Sequence, residues 1–141
     1  MASKLKVGFL GAGKMATALA AGFVNAGLVT GAHVMASDPV EGARAAFQKQ
    51  VGAKTTGSNE EVAQFAEVLF LAVKPDQVGT VLSDVRKHFT ANQLLISIAA
   101  GVPLTKLEAM LGAEARLIRG MPNTPAPSGT VWRFGADSEI R

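Results

Sequence analysis

The stretch VGFLGAGKMA, residues 7–16, constrains this chain more than any other. An apolar run passes directly into Gly11, Ala12 and Gly13 and then into an alanine-rich segment that carries Leu19, Phe23 and Val24. A buried strand, a tight turn and a helix produce that order. Gly11 suits the turn, Gly13 leaves the backbone open to close approach, and Ala16 is small enough for the helix to pack on the strand. The N–H groups at the start of such a helix, with its positive dipole end, meet phosphates well. Glycines also serve close strand-to-helix packing without a ligand, so the flanking strand and helix give the pattern its weight.

Short apolar runs alternate with longer amphipathic segments along the rest of the chain, as in strands joined by crossover helices. Strands are predicted over residues 4–10, 33–37, 68–73, 94–98, 115–119 and 130–134. The first helix is expected over residues 14–26, with a stripe of Met15, Leu19, Phe23 and Val24 on the sheet and Gly27 ending it. A second spans 41–50, and Ser58 with Glu61 predicts a capping box at the start of a third. Val78, Val81, Leu82 and Val85 have helical spacing within 76–87, and a shorter helix opens after Pro103. The expectation is one α/β domain over 1–141, a Rossmann-type, doubly wound, mostly parallel sheet with helices on both faces.

Apolar residues make up 48% of the chain, enough for a buried core. There is no cysteine, which excludes a disulfide scaffold or thiolate zinc site and fits a cytoplasmic location. No signal-peptide core or membrane span is evident in the 141 residues. The net charge of +3 comes from scattered lysines and arginines, with no tyrosine and one tryptophan, so neither nucleic acid nor membrane is expected as a partner. His33 and His88 lack ligand spacing, and no metal site is expected; Met110 and Met121 read as core or pocket lining.

The end of the second strand, MASDP, supplies Ser37 and Asp38 where the adenosine ribose of a dinucleotide is expected. Asp38 suits ribose hydroxyls and hence NAD, and would repel a 2′-phosphate unless Arg44 offsets it. Its other reading is a cap for the helix after Pro39. Lys74, just past a strand, is either a solvated charge or a contact to cofactor or substrate carboxylate.

FLAVKP at 70–75, SIAAG at 97–101 and MPNTP at 121–125 follow the first two motifs in order. Together these five stretches resemble the amino-terminal domain of pyrroline-5-carboxylate reductase, over residues 6 to about 135. The resemblance implies reduction of the cyclic imine pyrroline-5-carboxylate to proline, the last step of proline biosynthesis, with NADP or NAD as cofactor. Carried over by position, Leu10, Gly11, Ala12, Gly13, Lys14 and Met15 hold the diphosphate, and Ser37 and Asp38 face the adenosine ribose. Asn59 lies towards adenine. Ala72, Val73, Lys74 and Pro75, with Ile98, Ala99 and Ala100, border ribose and nicotinamide, which Asn123 closes. No catalytic residue is assigned.

Three departures stand out. The family's helical second half, which forms a homo-oligomer and most of the substrate pocket, is not among the 141 residues, so this chain alone is expected to be a feeble reductase. The stretch TPAPSGTVWRFG is a few residues shorter than the family's loop, and many relatives carry a neutral or basic residue in place of Asp38. A dinucleotide-binding module without turnover and a 3-hydroxyacid-type dehydrogenase domain are the alternatives.

Overall fold

The computed structural model describes residues 5–120 and 139–140. Its strands are β1 (Val7–Leu10), β2 (Val34–Ser37), β3 (Lys54–Thr56), β4 (Val68–Leu71), β5 (Leu94–Ser97), β6 (Arg116–Arg119) and β7 (Glu139–Ile140). Its helices are α1 (Lys14–Asn25), α2 (Glu41–Val51), α3 (Asn59–Phe65), α4 (Val78–Arg86) and α5 (Leu104–Leu111). The strands form one sheet in the order β3-β2-β1-β4-β5-β6-β7. Every pairing from β3 to β6 is parallel, and β7 runs antiparallel to β6. After β3 the chain crosses to the far side of β1 and begins β4. The strand order therefore reverses between β1 and β4, where a crevice opens at the carboxyl ends of the strands.

All four residues of β1 are buried, as a central parallel strand covered on both faces requires. On one face α1 and α2 pack Ala16, Leu19, Ala20, Phe47 and Val51 over Val7, Phe9 and Phe70. Phe9 stacks on Phe70, its register partner on β4, at 5.0 Å, and tilts against Phe47 at 5.8 Å. Burying each such ring contributes about 1.5–3 kcal/mol, so this cluster anchors α1 to the sheet. The other face carries α3, α4 and α5, with Val62, Leu82 and Leu107 over Leu69, Leu95 and Leu117. The glycine loop is thus held between two cores.

Several expectations change. The sequence predicts no strand at β3: its KTT is exposed to half-buried, and such a short polar edge strand has no apolar period to reveal it. His33 belongs to a 3-10 turn, Gly31–His33, and β2 begins one residue later. Met15 is 42% exposed and does not share the stripe of Leu19; the buried face of α1 is set by Ala16, Leu19 and Ala20, with Phe23 and Val24 partly covered. The helix predicted from 76 opens instead as a 3-10 turn, Pro75–Gln77, before α4 begins.

Ser58 does cap α3, accepting the Glu61 N–H at 3.2 Å. The reciprocal half of the box does not form. The Glu61 carboxylate accepts the Thr56 hydroxyl at 2.8 Å, and the Ser58 N–H donates to Thr56 Oγ1 at 3.1 Å. The strand predicted at 130–134 lies outside the described residues.

Candidate functional site

Three loops meet at the carboxyl ends of β1, β2 and β4. Gly11 leads out of β1 with φ +107°, a left-handed conformation that favours glycine, and donates its N–H to the Ser37 carbonyl at 2.8 Å. A Cβ at Gly11 would lie 2.9 Å from the Ala72 carbonyl oxygen, so the loop after β4 presses directly on this turn. The Ala72 N–H in return donates to the Leu10 carbonyl at 2.8 Å. Gly11 is therefore required by the fold itself.

Gly13 is different. Its φ of −75° is open to any residue, and a Cβ there would meet nothing within 4 Å. It stands at the start of α1 with no side-chain cap and no acidic residue in the first turn. The Thr17 N–H bonds the Gly13 carbonyl at 2.9 Å, and the N–H groups of the turn before it point out of the helix end. Nothing within the described protein needs glycine at this position. Open space before an uncapped, positive helix end is what a diphosphate needs.

Asp38 holds the second loop to the first. One carboxylate oxygen accepts the Ala12 N–H at 3.0 Å and the other accepts the Val40 N–H at 2.9 Å. It does not cap α2, whose N-cap is Val40 and lacks a side-chain bond. The Arg44 guanidinium reaches back from α2 and donates to the Asp38 carbonyl at 2.8 Å. Beneath them the buried Ser37 hydroxyl donates to Asn59 Oδ1 at 2.6 Å, and Asn59 Nδ2 donates to the Asp84 carboxylate at 3.2 Å. Ser37 and Asn59 thus brace the end of β2 against α3 and α4.

A family model described as NADP oxidoreductase, coenzyme F420-dependent, matches residues 6–101, more than half of the chain. The chain belongs to that family. It is 41% identical over 121 residues to a pyrroline-5-carboxylate reductase of Methanosarcina acetivorans, covering 86% of this chain and 45% of that one. Among solved structures, a pyrroline-5-carboxylate reductase from Coxiella burnetii superposes with a TM-score of 0.81 at 30% identity, over 91% of this chain and 46% of the other. A pyrroline carboxylate reductase from Plasmodium falciparum, solved with NADP bound, gives 0.76 at 32% identity over 95% and 49%. The chain spans about half the length of the relatives it matches.

Within this family member, the candidate residues divide by what they expose. Leu10, Ala12, Ile98 and Ala99 are buried, so they offer a ligand their backbone rather than their side chains. Gly13, Lys14, Met15, Lys74, Pro75 and Ala100 are exposed around the crevice, with Ala72 and Val73 half-buried. Lys74 caps the 3-10 turn through its carbonyl, which accepts the Gln77 N–H at 2.9 Å. The Ile98 N–H joins the Leu71 carbonyl at 3.0 Å, which brings the loop after β5 alongside that after β4. Asn123 lies outside the described residues. Among the described residues no cluster of three potential metal ligands occurs, and no helix is long and apolar enough to cross a membrane.

Two contributors escaped the sequence reading. Thr17 donates its hydroxyl to the Gly13 carbonyl at 2.8 Å, and a lone polar side chain in the alanine face of α1 was its available signal. Asp84 left no signal, because it meets Asn59 only through the packing of α4 on α3.

Proposed function

We propose that this chain is the dinucleotide-binding domain of a pyrroline-5-carboxylate reductase, with NADP(H) or NAD(H) as cofactor. The single observation that carries the reading is Gly13. With ordinary backbone angles, open space at its missing Cβ and an uncapped helix behind it, Gly13 leaves the helix end open to a diphosphate. Likeness to reductases of that name over about 86% of the chain supports the choice of reaction.

When bound, the nicotinamide supplies the hydride that reduces a carbon–nitrogen double bond. The chain's own part is positional. N–H groups at the start of α1 receive the diphosphate, and the β2 loop, pinned by Asp38, receives the adenosine ribose. The small residues Ala99 and Ala100 and the loop of Ala72 to Pro75 let a flat ring lie close to the backbone. Holding the reacting carbons at about 3–3.5 Å is most of what hydride transfer asks of a protein. The same reading carries a cytoplasmic protein, pyrroline-5-carboxylate as the small-molecule partner and homo-oligomers in the full-length enzyme.

The test is calorimetric titration with NADPH and NADH at matched ionic strength, followed by a search for proline among the products when NADPH and pyrroline-5-carboxylate are supplied together. Saturable binding and proline, however slow, support the reading. Lack of binding by either cofactor at millimolar concentration overturns it, and turnover of a 3-hydroxy acid with NAD would replace it.

A further inference from the structure

A line of hydrogen bonds runs from α4 to the glycine loop, and the carboxylate at its far end gives it a direction. Asp84, on α4, accepts an N–H of the Asn59 amide at 3.2 Å. An ionised carboxylate only accepts. Turned over, the amide would set its own oxygen against that carboxylate, so Asn59 is held one way round. Its oxygen therefore receives the hydrogen of the buried Ser37 hydroxyl, at 2.6 Å. The Ser37 carbonyl accepts the Gly11 N–H at 2.8 Å, at the turn that opens the loop.

An asparagine amide carries two N–H groups, and this network uses one of them. The second N–H of Asn59 meets no acceptor among the described residues. The side chain is half-buried at the first position of α3 and touches the last residue of β2. This donor thus stands beside the β2 loop, at the end of the crevice assigned above to the adenosine. Without Asp84 the amide is free to turn, and the same place offers either a donor or an acceptor. A donor oriented in advance gives up less freedom when a ligand binds.

We propose that Asp84 is a positioning residue of the dinucleotide site: its carboxylate fixes the orientation of the Asn59 amide and so keeps the second Asn59 N–H as a donor to the adenosine half of the cofactor. This rests on the dinucleotide reading above. Asp84 itself acts only through Asn59.

The experiment is a calorimetric titration of the chain with ADP-ribose and with NADH, repeated with Asp84→Ala, Asp84→Asn, Asn59→Ala and the double variant Asn59→Ala with Asp84→Ala. Asp84→Asn keeps the shape and accepts the Asn59 N–H in one orientation but donates to the Asn59 oxygen in the other, so it removes the enforced direction alone. Thermal unfolding of each variant checks folding. Both Asp84 variants should weaken ADP-ribose and NADH by about threefold or more, as expected for one hydrogen bond to the ligand. In the Asn59→Ala background, Asp84→Ala should change affinity by less than about twofold, because the residue through which it acts is gone. In the ¹H–¹⁵N spectrum of the wild type, the Asn59 side-chain amide signals should move when ADP-ribose is added. Unchanged affinity in both Asp84 variants, or the same loss from Asp84→Ala with and without Asn59, overturns the positioning role while the dinucleotide reading stands. If the wild-type chain binds neither ADP-ribose nor NADH, the dinucleotide reading fails and this assignment fails with it.

Discussion

The Asp38 carboxylate accepts the Ala12 N–H at 3.0 Å, tying the end of β2 to the middle of the glycine loop across 26 residues. A second bond from the Val40 N–H fixes the carboxylate in place. Asp38→Ala removes the acceptor for both and is expected to cost about 1.5–3 kcal/mol of stability. Asp38→Asn keeps one carbonyl oxygen and should lose less. Urea unfolding of the three proteins ranks them, and an alanine variant as stable as wild type would show that the link contributes nothing.

The two glycines of the loop should separate stability from binding. Gly11→Ala forces a side chain into φ +107° and against the Ala72 carbonyl, and should destabilise the domain by about 1–3 kcal/mol. The Cβ of Gly13→Val would meet no atom within 4 Å, so stability should move by no more than about 1 kcal/mol. Dinucleotide affinity should nevertheless drop by about tenfold or more. Affinity unchanged in the valine variant would make the loop purely structural.

Gln93 closes the lower end of α3. Its side-chain amide donates to the Ala63 and Ala66 carbonyls at 2.6 and 2.7 Å, and its carbonyl oxygen accepts the Thr90 N–H at 2.7 Å. Gln93→Leu fills the same volume and leaves buried polar groups without these bonds, at an expected cost of about 3 kcal/mol. The fall in the thermal midpoint should appear with cofactor affinity per folded molecule unchanged, since the residue lies at the opposite end of the sheet from the crevice.

Close packing of α3 on β1 makes a fourth prediction. A Cβ on Gly8 would come within 2.6 Å of Val62 Cγ1 and 2.8 Å of the Ala66 Cβ. Gly8→Ala should therefore cost about 1–3 kcal/mol by overpacking. Val62→Ala, harmful by itself, should relieve part of that cost in the double variant. Strict additivity of the two changes would rule out the direct contact.

Much of this architecture was legible because it is local. Apolar runs mark β1, β4 and β5, helical spacing marks α4, and a strand followed by Gly-Ala-Gly marks the turn where the sheet opens. The motif order MASDP, AVKP and SIAAG likewise survives in the chain as written and points to the family. β3 was not legible, since three polar residues at a sheet edge become a strand only through pairing with Met35, Ala36 and Ser37. The stripe on α1 was misplaced at Met15 because helical spacing alone does not say where the sheet stops covering the helix.

The sequence by itself determined that strands and helices alternate, that a glycine turn joins the first pair, and which small residues follow β4 and β5. Those features depend on the conformational limits of residues adjacent in the chain. Tertiary structure alone decided that Asp38 bonds Ala12 and that Ser37, Asn59 and Asp84 form one chain of hydrogen bonds. The Asp38–Ala12 pair is 26 residues apart, and the steps from Ser37 to Asn59 and from Asn59 to Asp84 span 22 and 25. Contacts at such separations follow no local period and come into being only when the crossover helices pack the ends of β2 and β4 beside β1.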